Sequence, residues 1–242
     1  MDALAIAALS MQNDMSQLEA ISQNLANVMT PGFKREIHVN RAFDAHFDTA
    51  GADGAAARAE TMAGRSFVID PTVGTMRATA APLDVAIESK GFLEVTTDNG
   101  VAYTRQGALH LDPSGRLVTS GGFAISGLGG ELRMTGGDVK IDSDGKLLQG
   151  GKTVGQLKLV QFDNQQLLDP LGGGLFAQGG AQISNTAVTA KFKTGYLEAS
   201  NVSSAQEMVR LNETVRHFES MQKMLQGYDD VFQKAITKLG DF

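Results

Sequence analysis

The chain has no cysteine and no tryptophan, and only three tyrosines and five prolines among its 242 residues. The absence of cysteine excludes disulfides, thiolate catalysis and cysteine-ligated metals together. It also suits a chain that crosses membranes unfolded, since no thiol can be trapped in a wrong bridge. Basic charge is short as well: 21 Lys and Arg face 27 Asp and Glu, a formal net charge of −6. Phosphate neutralisation dominates duplex binding and demands a basic face, so no nucleic acid partner is expected, nor an anionic membrane surface. Long apolar runs are missing too. A cleavable signal needs a basic start and an unbroken apolar core, whereas Asp2 opens this chain and Asn13, Asp14 and Glu19 interrupt the apolar residues after it. No stretch reaches the roughly 18 apolar residues of a membrane span, so no membrane insertion is expected. From these features alone the protein is cytoplasmic, unless it leaves by a route without a cleaved signal.

Apolar residues repeat at the two ends. Leu4, Met11, Leu18 and Leu25 recur every seven residues, with Ala7, Ala8, Met15, Ile21 and Val28 beside them. That spacing predicts a helix with a narrow apolar seam, weakened where Asp14 sits within it. Thr30-Pro31-Gly32 ends it, because proline lacks an N–H and disfavours helix in the residue before it. At the other end Leu211, Phe218, Leu225, Phe232 and Leu239 form a second series, widened by Met208, Val215, Met221, Tyr228, Ala235 and Ile236. Ser204 with Glu207 reads as a capping box, Ser203 with Gln206 as a near equivalent, and Gly240 as a C-cap. This helix is expected to run about 36 residues, roughly 54 Å at 1.5 Å per residue.

The middle is β-type. Leu83, Val85 and Ile87 alternate with Asp84, Ala86 and Glu88, and Leu93 and Val95 continue the pattern. Asp98-Asn99-Gly100 then turns the chain back into Val101, Tyr103 and Arg105. Leu111-Asp112-Pro113-Ser114-Gly115-Arg116-Leu117 and Ile141-Asp142-Ser143-Asp144-Gly145-Lys146-Leu147 repeat one turn chemistry, each with a glycine placed for positive φ. Leu157–Phe162 reads as a further strand. Ala50–Ala63 reads as a flexible loop of small residues, flanked by extended connectors over Phe33–Phe47 and Ser66–Met76. The fold expected is α+β, with long N- and C-terminal helices paired as a coiled coil and a central antiparallel β-rich domain. Residues 1–33 with 203–242 form the helical part, 34–80 a connector and loop, 81–185 the β-rich domain and 186–202 a return connector. Each helix has a stripe it cannot bury alone, and the surplus on the second calls for another subunit.

Chemistry is sparse. His38, His46, His110 and His217 lack the spacing of a metal pair, and no metal site is expected. Asp142-Ser143-Asp144-Gly145 lacks the further ligands of a calcium loop, with Gly151 where a glutamate belongs. Gly172-Gly173-Gly174-Leu175-Phe176-Ala177 meets a relaxed dinucleotide fingerprint, but no amphipathic helix comes after it to receive a phosphate. Glu88, Glu94, Asp112 and Asp142 read as turn and solvent-side strand positions rather than as a glycosidase pair. No catalytic residue, no cofactor and no enzymatic activity are expected.

Several motifs, taken in order, are similar to one family. Asn24-Leu25-Ala26-Asn27, Thr30 and Gly32-Phe33-Lys34 resemble the N-terminal signature of the bacterial flagellar rod and hook proteins. Gly195-Tyr196-Leu197-Glu198-Ala199-Ser200-Asn201-Val202 and Glu207-Met208-Val209, with Arg216, Phe218 and Glu219 in step, resemble its C-terminal signature. Pro82, Asp84, Ala86-Ile87, Gly91-Phe92, Val95, Gly100, Tyr103-Thr104-Arg105, Gly107, Asp112, Gly115 and Leu117 match its β domain. The resemblance implies a structural subunit of the periplasmic rod, exported by the flagellar type III apparatus without a cleaved signal. Its partners would be other copies of itself and neighbouring rod proteins. The assembly face would comprise Leu4, Met11, Leu18, Asn24, Leu25 and Asn27 with Met208, Leu211, Val215, Phe218, Leu225, Phe232 and Leu239. The Met-Asp start, short length and single β domain are most similar to the proximal rod branch. A distal rod or hook-type subunit is the alternative within the family. A soluble binding module in a closed oligomer is the alternative outside it.

Overall fold

The computed structural model describes residues 3–39, 67–135, 139–185 and 190–240, with side chains except at 3–5, 232, 235, 236 and 238–240. The expected loop over 50–63, His46 and the side chains of Leu4, Phe232 and Leu239 lie outside the described residues. Two helices bracket a β-rich middle: α1 (Ala3–Ala26) and α2 (Ser204–Gly240), the latter 37 residues long. The strands between them begin with β1 (Glu36–His38), β2 (Phe67–Ile69), β3 (Met76–Ala78), β4 (Val85–Ile87), β5 (Phe92–Thr97) and β6 (Gly100–Thr104). Next come β7 (Leu109–Leu111), β8 (Leu117–Thr119), β9 (Ala124–Gly127), β10 (Gly130–Glu131), β11 (Val139–Ile141) and β12 (Lys146–Gln149). The last are β13 (Lys152–Gln156), β14 (Leu159–Val160), β15 (Asp169–Gly172), β16 (Leu175–Ala177), β17 (Phe192–Thr194) and β18 (Tyr196–Glu198).

The main sheet is antiparallel, in the order β15-β16-β6-β5-β9-β8-β7, with β10 on β9 and β14 on β5. Its centre is the hairpin that Asn-Gly predicts: Thr97 faces Gly100 across a two-residue loop, and Gly100 takes φ +116°. Period-two alternation splits β5 between two cores. Leu93 and Val95 join the aliphatic core with Val85, Ile87, Leu117, Ile125, Leu147 and Leu157. Phe92 points into the other core, where it meets Phe162 and Phe176 edge to face and Phe162 meets Tyr103. Four of the chain's fifteen Phe and Tyr residues are thus gathered under one face.

The twin turns form as expected. Asp112 Oδ1 accepts the N–H groups of Ser114 and Arg116, and Asp142 Oδ1 accepts those of Asp144 and Lys146. Gly115 and Gly145 supply φ of +79° and +76°. The triple glycine at 172–174 closes the β15–β16 hairpin and leads into a strand, not a helix. Segments read as connectors contain paired strands: β1 with β2, β3 with β18 and β4 with β17. These pairs join residues far apart in sequence, so no hairpin signal marks them. The β3–β18 and β4–β17 pairs fasten the incoming and returning chains together, and β1–β2 ties two stretches of the incoming chain beside α1.

The helices pack against each other and run antiparallel. Asp14 meets His217 and Asn24 meets Glu207, so ten residues forward on α1 matches ten back on α2. On α1 the covered positions step as Ala7, Met11, Asp14, Leu18, Ile21 and Leu25; on α2 as Glu207, Leu211, Thr214, Phe218, Met221 and Leu225. Both progress in alternating steps of four and three.

Candidate functional site

The site is the junction where the helix pair meets the sheets, and it is built of buried charge. After α1 the chain turns at Gly32, whose φ is +70° and whose N–H donates to the Glu198 carbonyl at 2.8 Å. A Cβ there would stand 2.3 Å from the Arg105 carbonyl oxygen, so only glycine lets the three segments close. Two residues on, Lys34 Nζ donates to Glu198 Oε1 at 2.6 Å and to the Thr72 carbonyl at 2.6 Å. Arg105, at the end of β6, donates from Nε to Glu198 Oε2 at 2.8 Å. Its guanidinium also donates to the carbonyls of Gly91 at 2.6 Å and Ile87 at 2.8 Å. Side-chain exposures of Lys34, Glu198 and Arg105 are 1%, 1% and 3%. Burial pushes the Lys34 ammonium below its ordinary range, against the opposing pull of Glu198. One carboxylate therefore holds two cations, and the N-terminal segment, the β region and the C-terminal segment meet on it.

A second node lies nearer the helices. Asn24, buried on α1, clamps β1 by accepting from the Glu36 N–H and donating to the Glu36 carbonyl, both at 2.8 Å. Its amide also reaches Glu207 at 3.4 Å. Glu207 accepts from Arg35 Nε at 2.7 Å and from Arg210 at 3.2 Å. The expected capping box is not how Glu207 is used: its carboxylate ties α2 to Arg35 and α1, because a buried acid so close to two guanidinium groups gains more from them than from a helix-end amide. Asn201 completes the node, accepting from the Arg35 N–H at 2.7 Å and donating to the carbonyls of Asp70 and Thr72.

The residues expected at an assembly face fall into three groups. Met11, Leu18 and Leu25 on α1 and Leu211, Phe218 and Leu225 on α2 are half-buried, each series forming one row of the seam between the helices. Asn24 is buried in the junction, and Asn27 bonds locally to the Gln23 carbonyl and Thr30. Met208 and Val215 face solvent, 56% and 37% exposed. Ile6, Leu9, Met15, Met224, Tyr228 and Val231 are exposed with them. Asp14, read as a flaw in the seam, is buried and paired with His217 Nδ1 at 2.7 Å. No local pattern marks that pair, because its members lie at opposite ends of the chain.

The carboxylates weighed for catalysis are occupied in turns or at the surface. Asp112 is held well below the usual carboxylate range by the Ser114 hydroxyl and the Arg116 N–H. Glu94 is paired with Lys158 at 2.7 Å. Glu88 and Asp142 belong to the strand edge and the second turn. His38 lies edge-on to Phe67, and His110 is exposed on β7. No described helix is long and apolar enough to cross a membrane.

Residues 193–238 match the family described as the flagellar basal body rod FlgEFG protein C-terminal, and residues 86–154 match the flagellar hook protein FlgE/F/G D1 domain. The chain is 32% identical to the flagellar basal-body rod protein FlgG of Bacillus subtilis, over 94% of its length and 95% of that protein's. It is 31% identical to the rod protein FlgF of Caulobacter vibrioides, over 93% and 92%. It is 30% identical to FlgF of Escherichia coli, over 89% of each. Relatives of both kinds match at nearly the same level.

Proposed function

The chain belongs to the flagellar basal-body rod protein family and is a structural rod subunit, and from that premise we propose that it polymerises through its terminal helices into the periplasmic drive shaft. The helix pair acts as a coiled coil, since both covered stripes step by four and three. The polar contacts Asp14–His217 and Asn24–Glu207 fix its register, as polar residues at seam positions do elsewhere. The subunit travels unfolded through the flagellar type III apparatus without a cleaved signal, and its neighbours are copies of itself and other rod proteins.

The observation that carries this reading is apolar surface left over after the helices have paired. Met208, Val215, Met224, Tyr228 and Val231 remain exposed along one helix. Large exposed apolar patches on soluble chains mark interaction sites. Electron microscopy of the purified full chain across a concentration series tests it. Fibres or tubes that lengthen with concentration are expected. Particles of one fixed closed size would favour the soluble oligomer instead, because a closed ring does not elongate.

A further inference from the structure

We propose that copies of this chain join head to tail through two unlike faces of the helix pair: the face beside β1 on one copy seats on the opposite face of the next. The proposal rests on the rod-subunit reading and names the surfaces through which that assembly grows.

The seam divides the helix pair into two faces. Positions just before Met11, Leu18 and Leu25 on α1, and just before Leu211, Phe218 and Leu225 on α2, flank it on the first face. Positions just after Asp14 and Ile21 on α1, and just after Glu207 and Thr214 on α2, flank it on the second. Gln17, Asn24 and Arg210, all of the first kind, line one cleft with Glu36, so β1 lies on the first face. Ala20 borders that cleft, and Ile6 stands two heptads before it. Met224 and Val231 stand two and three heptads after Arg210. The Asp14–His217 contact sets Ile6 opposite Leu225, so Ile6 and Met224 stand at one level of the first face, beyond the cleft. Ile6, Met224 and Val231 are all exposed.

Asp, Glu, Lys and Arg keep off this stretch. Helix α1 has no charged residue from Ala3 to Asn13. Between Thr214 and Val231 the charged residues of α2 are Arg216, Glu219, Lys223, Asp229 and Asp230, and the seven-residue period sets every one of them off the first face. His217, on the same face, is engaged with Asp14. A single exposed apolar side chain is ordinary on a surface. An apolar strip cleared of charge, on a helix otherwise rich in it, has the composition of an interface centre.

The second face carries its own apolar cluster. Met15 follows Asp14, Met208 follows Glu207 and Val215 follows Thr214, so all three flank the seam there. Met15 comes opposite Arg216, level with Val215. This cluster is displaced from Ile6 toward the β region by about 14 Å, at 1.5 Å per residue. The two faces and their displacement identify the occupant as a second copy. Like faces meeting about a two-fold axis close at two copies and leave the other cluster in water, which builds no shaft. Unlike faces add each copy by one repeated step, and because the offset carries every copy along the axis the assembly does not close.

The test compares wild type, Ile6→Asp and Met15→Asp as full-length chains, alone and mixed in equal amounts, by sedimentation over a concentration range. Thermal unfolding of the dilute monomers checks the fold. Ile6 and Met15 are 56% and 61% exposed, so both variants should unfold as wild type does. Val231→Asp and Met208→Asp alter the same two faces and stand in for a variant that loses its fold. Each variant alone should stay monomeric at concentrations where wild type elongates, because each has lost one face. The mixture should give particles of two copies that grow no further, since the intact second face of Ile6→Asp meets the intact first face of Met15→Asp. Dimers of Met15→Asp alone overturn the proposal, because like faces would then be meeting. Elongation by either variant, or a mixture that stays monomeric, also overturns it and leaves polymerisation standing. A wild-type chain that never self-associates overturns this pairing and the polymerisation reading together.

Discussion

Glu198 Oε1 lies 2.6 Å from Lys34 Nζ, so the segment leaving the first helix and the segment returning to the second are joined by one buried charge pair. Arg105 occupies the other oxygen of the same carboxylate at 2.8 Å. Because two cations share one acid, the two halves of the pair are not equivalent. Glu198→Gln leaves Lys34 and Arg105 buried together without a counter-charge, and breaking buried pairs in this way costs about 3–5 kcal/mol. Lys34→Met leaves Arg105 and Glu198 matched one to one, and should cost clearly less. Denaturant unfolding of the two variants checks the order. A larger loss for Lys34→Met would mean that the triad does not act through charge balance.

Gly32 sits in the left-handed region with a backbone oxygen where its Cβ would go, whereas Gly100 has positive φ but open space around it. Gly100→Ala should therefore cost only the conformational strain, about 1–2 kcal/mol. Gly32→Ala adds a clash with the Arg105 carbonyl, which cannot move without disturbing the triad, and should cost more. Unfolding midpoints of the two variants decide it; equal losses would show that the close approach at Gly32 is relieved easily.

Much of the helical architecture was legible because a seven-residue repeat is a local signal. The twin turns were legible for the same reason: an aspartate and a glycine three residues apart dictate the backbone between them. The junction was not. Lys34 and Glu198 stand 164 positions apart, and nothing in either segment says that the two will be buried together. The strand pair of Arg77 with Leu197 is hidden likewise. Glu207 misled because its position fits a capping box, and only the fold brings Arg35 and Asn24 to it. The family motifs did mark these residues, yet as letters in a signature, without the contacts that account for them.

Glu36 gives the junction a pH dependence with a definite sign. Its carboxyl is raised above the ordinary value of 4.5, first by burial and then by Glu19. Between the unfolded and folded values the native state binds the extra proton, so stability falls as pH rises through the folded value. Below about 4.5 the penalty is gone. The other titratable groups around the cleft where Glu36 lies, between α1, β1 and α2, are Arg35 and His38 from its own segment and Glu207 and Arg210 from the second helix. Glu36→Gln should make the monomer more stable than wild type at pH 7, with the difference vanishing near pH 4. A variant less stable than wild type at pH 7 would show that the carboxylate has a partner in the free chain.

The last prediction separates the two faces of the C-terminal helix. Leu225 is half-buried on the side that meets the first helix, whereas Met208 and Val215 point away from it. A charge at Leu225 therefore enters the intramolecular seam, where an unpaired charge costs several kcal/mol. Leu225→Asp should lower the unfolding midpoint of the dilute monomer and also prevent assembly. A charge at Met208, more than half exposed, meets mainly water in the monomer, and surface changes of that kind stay within about 0.5 kcal/mol, whereas Val215 is still partly covered. Met208→Asp should leave monomer unfolding and helical circular dichroism unchanged, yet abolish fibre growth and swimming. Loss of assembly by Leu225→Asp alone is not diagnostic, because a loosened helix pair would fail for an internal reason. Met208→Asp has no such route to failure. Normal swimming with it would mean that the exposed row on this helix is not a face through which rod subunits join.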